Sequence, residues 1–138
     1  MKGAHMKKGL ILIIALMLCL AIIGCGNEDD QAKKTAEAFL TSVAEGNFEN
    51  ARTYLHPSRE IDVEKRFNNY ESWAGIDFQK GINIKKYTDY SYSVYDDDVG
   101  GSEYELEIRV SVDGKRFEIG IDIVRNDNGY GIYEIEFD

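Results

Sequence analysis

The sequence predicts an α+β domain: N-terminal helices packed on one face of a four-stranded antiparallel sheet. Two observations in the chain lead there. Apolar residues recur at helical spacing up to about Trp73, and after Gly75 the period drops to two. Turn dipeptides then cut the alternating part into strands of similar length.

Ahead of the domain, Lys7-Lys8 precede an unbroken apolar run from Leu10 to Ile23, followed by Gly24-Cys25. A charged start, an apolar middle and small residues behind are the layout of an export signal. The run is short for a membrane helix, which takes about 20 apolar residues. Ile22-Ile23-Gly24-Cys25 resembles the lipobox of bacterial lipoproteins. That resemblance implies a diacylglyceryl group on the Cys25 thiol and cleavage just before it. An uncleaved anchor helix is the other reading, and in both the domain hangs on a membrane. The expected division is a signal peptide over 1–24, a lipidated cysteine and tether over 25–30, and an α+β domain over 31–138. Two acyl chains hold a protein stably to a bilayer where one does so only reversibly. The expected location is the extracytoplasmic side of the cell membrane.

Removing residues 1–24 from 138 leaves 114, enough for one small core. Lys2, Lys7 and Lys8 leave with the signal, so 16 basic residues become 13 against 25 acids, a formal charge of −12. Such a chain lacks the basic footprint that nucleic acid demands, and it is repelled by anionic headgroups. The membrane contact should therefore be the lipid alone. Cys19 goes with the signal and Cys25 is consumed by lipidation, so neither a disulfide nor a cysteine metal site is expected.

Within the domain, Gly26–Asp30 reads as a polar tether. Ala32, Ala36, Phe39, Leu40, Val43 and Ala44 form the stripe of a first helix, with Asp29-Asp30 favouring its start and Gly46 ending it. Asn47 can cap a second helix running to about Leu55, before Pro57. Ser58 offers a cap for a third, with Ile61, Phe67, Tyr70 and Trp73 on its buried side. In the alternating part, Ile82, Ile84, Tyr90, Tyr92 and Val94 fall on one face of a long strand. Tyr104, Leu106, Ile108, Val110 and Val112 then alternate with Glu103, Glu105, Glu107, Arg109 and Ser111.

A two-residue turn at Asp113-Gly114 pairs Val110 with Phe117, Ile108 with Ile119, Leu106 with Ile121 and Tyr104 with Ile123. A three-residue loop Asp127-Asn128-Gly129 pairs Ile123 with Tyr133, Ile121 with Ile135 and Ile119 with Phe137. One face of the resulting meander is apolar, and the helices must cover it.

Ala36-x-x-Phe39-Leu40, Ala44-x-Gly46-Asn47, Ala51 and Leu55-x-Pro57 resemble the opening of NTF2-like (cystatin-like superfamily) lipoproteins. Asn128-Gly129-Tyr130-Gly131-Ile132-Tyr133 is similar to the strand that closes many such domains. The resemblance implies a sheet curved around helices, forming a cone whose mouth can hold a small molecule or peptide. Some members are isomerases or dehydratases that place an acid or histidine inside the cone. The inward positions of strands two to four here are only Tyr, Leu, Ile, Val and Phe, so that catalytic role does not carry over.

Four groups invite chemistry. His56 is a general base, a ligand, or simply a residue favoured near a helix end; no cysteine, serine or second histidine is expected near it, and so no triad. Asp96-Asp97-Asp98 with Glu103 suggests calcium, but the spacing does not fit an EF-hand loop and reads as a solvated turn. Trp73, Tyr90, Tyr92 and Tyr104 suit the mouth of a half-apolar pocket or the packing of helix on sheet. Glu103, Glu105, Glu107 and Glu134 lead an acidic outer face that also holds Glu118, Asp122 and Glu136 against Arg109 and Arg116. That face is either solvated or a docking surface for a basic partner, and its charge opposes a homodimer through it. No metal or other cofactor is expected. The leading expectation is a non-enzymatic envelope lipoprotein that binds a small ligand or a protein. An accessory subunit docking a basic partner is the alternative, and an enzyme of the isomerase or dehydratase kind is the third.

Overall fold

The computed structural model describes residues 28–94 and 99–138. The chain divides into two units, Met1–Gln31 and Ala32–Asp138. Of the first unit, the described part is the opening turn of a helix; all that follows concerns the second. The signal run, Cys25 and the Asp96–Asp98 loop lie outside the described residues.

Helix α1 spans Glu28–Ala44. It starts inside the stretch expected to be a tether, because Glu28, Asp29 and Asp30 suit the positive end of a helix. Ala32, Ala36, Phe39, Leu40 and Val43 form its buried stripe, as the spacing predicts. Helix α2 (Phe48–Arg52) is capped by Asn47, whose side chain accepts from the Asn50 amide at 3.1 Å. It stops short of Leu55, and Leu55 instead makes a parallel bridge to Ile132. Helix α3 (Val63–Ala74) starts at Asp62, which accepts from the Lys65 amide at 3.1 Å. The expected cap, Ser58, lies upstream and is hydrogen-bonded to His56 instead. A single 3₁₀ turn, Phe78–Lys80, leads into the sheet.

Strands β1 (Asn83–Val94), β2 (Ser102–Val112), β3 (Lys115–Asn126) and β4 (Gly129–Phe137) form an antiparallel meander in that spatial order. The β2–β3 register pairs Val110 with Phe117 and Tyr104 with Ile123, as the turn predicts. Asp113 and Gly114 both take positive φ, 51° and 76°, the conformation a two-residue hairpin turn requires.

The β3–β4 pairing corrects the expected one. Asn126 faces Gly129, so the turn is two residues, Asp127-Asn128, and Ile123 meets Ile132 rather than Tyr133. A bulge beside Asp122 and Ile123 restores Ile121–Ile135 and Ile119–Phe137, and it turns Tyr133 away from the core. Strand β1 carries two more register shifts, leaving Lys85 and Thr88 without partners. The shifts cancel, so Tyr90 and Tyr92 keep their expected side, but Tyr87 joins it opposite Ile108.

The helices cover the apolar face. Phe67 meets Phe39, Phe78 and Phe137 edge-on at centroid distances of 5.9, 5.0 and 5.0 Å, and Tyr70 stacks on Phe137 at 4.3 Å. The outer edge of β4 is sealed by the chain that follows α2. The His56 amide donates to the Ile132 carbonyl, the Ile132 amide to Tyr54, Arg59 Nε to Tyr133 and Arg66 Nη1 to Ile135. Gly131 admits this crossing, since a Cβ there would collide with the Leu55–His56 backbone.

Replacing Phe67 by alanine should cost about 3–5 kcal/mol in urea unfolding, and by leucine clearly less. Equal losses would show that Phe67 is not packed on three sides.

Candidate functional site

Cross-strand register turns alternation into rows on the outer face. One row is Ser91, Glu105, Asp122 and Glu134, and the next is Asp89, Glu107, Gly120 and Glu136. Opposite side chains in such rows lie roughly 5 Å apart at Cβ, close enough for like charges to repel. Beside them, Glu103 is only 6% exposed, and its carboxylate accepts from the Ser93 hydroxyl at 3.2 Å. Ser91 donates to Glu105 at 3.0 Å. Gly120 leaves room that its neighbours use: a Cβ there would stand 3.3 Å from Glu107 Oε1 and 3.6 Å from Glu136 Cβ.

Cations are scarce on this face. Arg109 pairs with Glu118 at 2.9 Å, one row beyond Glu107. Among the described residues, Glu105, Glu107, Asp122, Glu134 and Glu136 take part in no ion pair. Burial first, then Glu103, Glu105, Glu134 and Glu136, push the Asp122 carboxyl up to about 7. Glu107 is raised too, by burial and then by Asp138, Glu118, Glu136 and Asp89. Asp122 lies at the centre of the cluster, a position that composition hides and that the β2–β3 register places opposite Glu105.

The aromatic candidates separate. Tyr104 is buried, and Tyr90 and Tyr92 lie against it at centroid distances of 6.5 and 5.3 Å. Trp73 is 80% exposed and leans on Tyr70, in a groove of about 420 Å³ shared with Phe117 and Arg116. The helix stripe fails at its last residue, so Trp73 does not join the three tyrosines. Tyr87, brought inward by the bulges, donates to Glu37 at 2.6 Å, and Lys33 sits over the Tyr87 and Tyr90 rings at 5.0 and 5.6 Å. Burial and Glu37 raise the Tyr87 hydroxyl. These contacts fasten α1 to the sheet.

His56 is buried and has a serine beside it after all. The Ser58 amide and hydroxyl lie 3.1 and 2.7 Å from Nδ1, and Nε2 is 2.9 Å from Asn126 Oδ1. Since the amide can only donate, Nδ1 accepts and Nε2–H donates to Asn126. Asn126 in turn donates to the Val99 carbonyl and accepts from the Asn128 amide. The signal was a serine two residues from the histidine, and its partner came from a distant hairpin. The arrangement ties three loops together beside a groove of about 680 Å³ lined by Arg52, Arg59 and Ile61. Among the described residues, no group of three or more His, Cys, Asp or Glu side chains is placed to hold a metal ion.

Compared with known protein families, curated proteins and solved structures, the chain matches none.

The raised Asp122 carboxyl has a definite effect on stability. It holds a proton in the folded state up to about pH 7, whereas an ordinary aspartate gives it up near 3.8, so stability falls as pH rises through that window. Asp122→Asn should therefore leave stability unchanged near pH 3. At pH 8 it should gain about 1–2 kcal/mol, after allowing for solvent screening. Thermal unfolding of both forms across this range checks it, and an equal gain at both ends would refute the assignment.

Proposed function

We propose that this chain is a lipid-anchored, extracytoplasmic envelope protein whose NTF2-like domain docks a basic protein segment through the acidic outer face of its sheet, without catalysis. The observation that carries the reading is the unpaired row Glu105–Asp122–Glu134, backed by Glu107 and Glu136. Like charges held this close weaken the free protein, and a cationic partner removes that cost on binding. The lipobox-like Gly24-Cys25 supports the anchor. Three helices leading into a meander, all on one of its faces, support the NTF2-like assignment.

Docking of a protein is favoured over a small ligand because the central part of the sheet's inner side is already full. Leu106, Ile108, Ile119, Ile121, Ile123 and Ile135 are at most 1% exposed, and Lys33 already lies over two of the tyrosines. Catalysis of the isomerase kind would call for a titratable group among those residues.

At about pH 8.5, where Asp122 is ionised, full-length protein in detergent should bind a capped decalysine peptide at low salt and release it as salt rises. Neutralising Glu105, Asp122 and Glu134 together (E105Q, D122N, E134Q) should weaken binding by about tenfold or more. Removing the same charge elsewhere, at Glu45, Glu49 and Glu60, should weaken it far less. Equal losses would reduce the effect to net charge and sink the docking face. For the anchor, the chain expressed in a bacterium should enter the detergent phase and carry a diacylglyceryl mass that Cys25→Ser lacks; an unmodified cysteine would overturn that half of the reading.

A further inference from the structure

The two edges of the sheet are unlike. Along β4, the chain from Tyr54 to Arg66 supplies hydrogen bonds to the Ile132, Tyr133 and Ile135 carbonyls, so that edge is closed. β1 is the opposite edge, and among the described residues its neighbour in the sheet is β2. Its first half carries both bulges and the lysines Lys85 and Lys86, devices that deter another strand. Its second half has neither bulge nor lysine, and at its start Asp89 Oδ1 accepts from the Tyr90 amide at 2.8 Å, so the open part begins at Ser91. From Asp89 to Val94 the register with β2 runs without a break. Tyr92 and Val94, on the inner side of this segment, are 54% and 64% exposed. A regular edge that shows apolar side chains is a template for one more strand.

We infer that the Ser91–Val94 end of β1 accepts an added strand from a partner, an extended segment in which apolar residues alternate with lysine or arginine. The inference rests on the acidic-face reading and names the form of its ligand. Side chains of an added strand alternate between the two faces. One set falls beside Tyr92 and Val94 and covers them. The other set falls on the acidic side, beside Ser91 and Ser93. Two strand spacings, about 10 Å, separate that set from Glu103 and Glu105, a span that extended lysine and arginine side chains can largely bridge. A second copy of β1 does not fit this description, because this part of it offers Asp89, Ser91 and Ser93 on that face, an acid and no cation.

The test uses full-length protein in detergent at low salt and a capped nonapeptide of alternating lysine and valine. Two further peptides carry N-methyl groups, one on every lysine and the other on every valine. A strand lying on an edge presents only alternate amides to it, so one methylated peptide should lose about tenfold or more in affinity while the other stays within about threefold of the parent. If both methylated peptides bind like the parent, charge alone holds them; edge addition is then overturned and the acidic-face reading stands. Loss with both overturns edge addition as well, since both sets of amides cannot face β1. If the parent itself fails to bind, both readings fall.

Discussion

Burial of one aliphatic face is the constraint on which everything else in this domain depends. β2 and β3 alternate without exception from Tyr104 to Val112 and from Phe117 to Ile123, so a shift of one residue would expose the entire row. With that pair fixed, the helices have a single surface to cover. Phe39, Phe67 and Phe78 then meet over it, and Phe137 at the end of β4 completes the cluster. The acids are a by-product of the same geometry. Strict alternation that hides the isoleucines of this pair also aligns every second residue on the other side, and in this chain those residues are mostly acidic.

This explains what was legible from residues alone and what was not. The β2–β3 hairpin was readable because its alternation is unbroken and its Asp-Gly turn allows one register. Bulges defeat that reading, since an extra residue leaves no compositional mark. Hence alternation sets Tyr133 opposite Ile123, gives Tyr87 no place on the inward face, and does not carry the row of acids on to Asp89. Helix starts failed for a related reason. Ser58 and Asp62 both have the chemistry of a cap, and the choice between them was decided by His56, whose ring nitrogen takes the Ser58 hydroxyl. The Asn126 end of that connection lies 70 residues away in sequence. The acidic face was visible as a list of residues, but its centre at Asp122 appears only when strand register is combined with burial.

Edges and faces also divide the work of keeping the sheet soluble. Along β4 one of the two arginines that seal the carbonyls is itself held by a ring, with the Arg59 guanidinium 4.7 Å from the Tyr133 ring centre. The bulge that expelled Tyr133 from the core thus supplies the surface on which the sealing arginine rests.

The paired bulges in β1 carry a consequence for how such a strand can change over evolutionary time. Lys85 is the surplus residue of its bulge, so deleting it alone would let Lys86 follow Ile84 in regular alternation and leave Tyr90 and Tyr92 on the side they hold. Deleting a residue of the regular part, such as Ser91, would instead send Tyr92 and Val94 to the opposite side. Loss of single residues should therefore be tolerated at the bulges and purged beyond them, a difference that descendants of this chain would inherit.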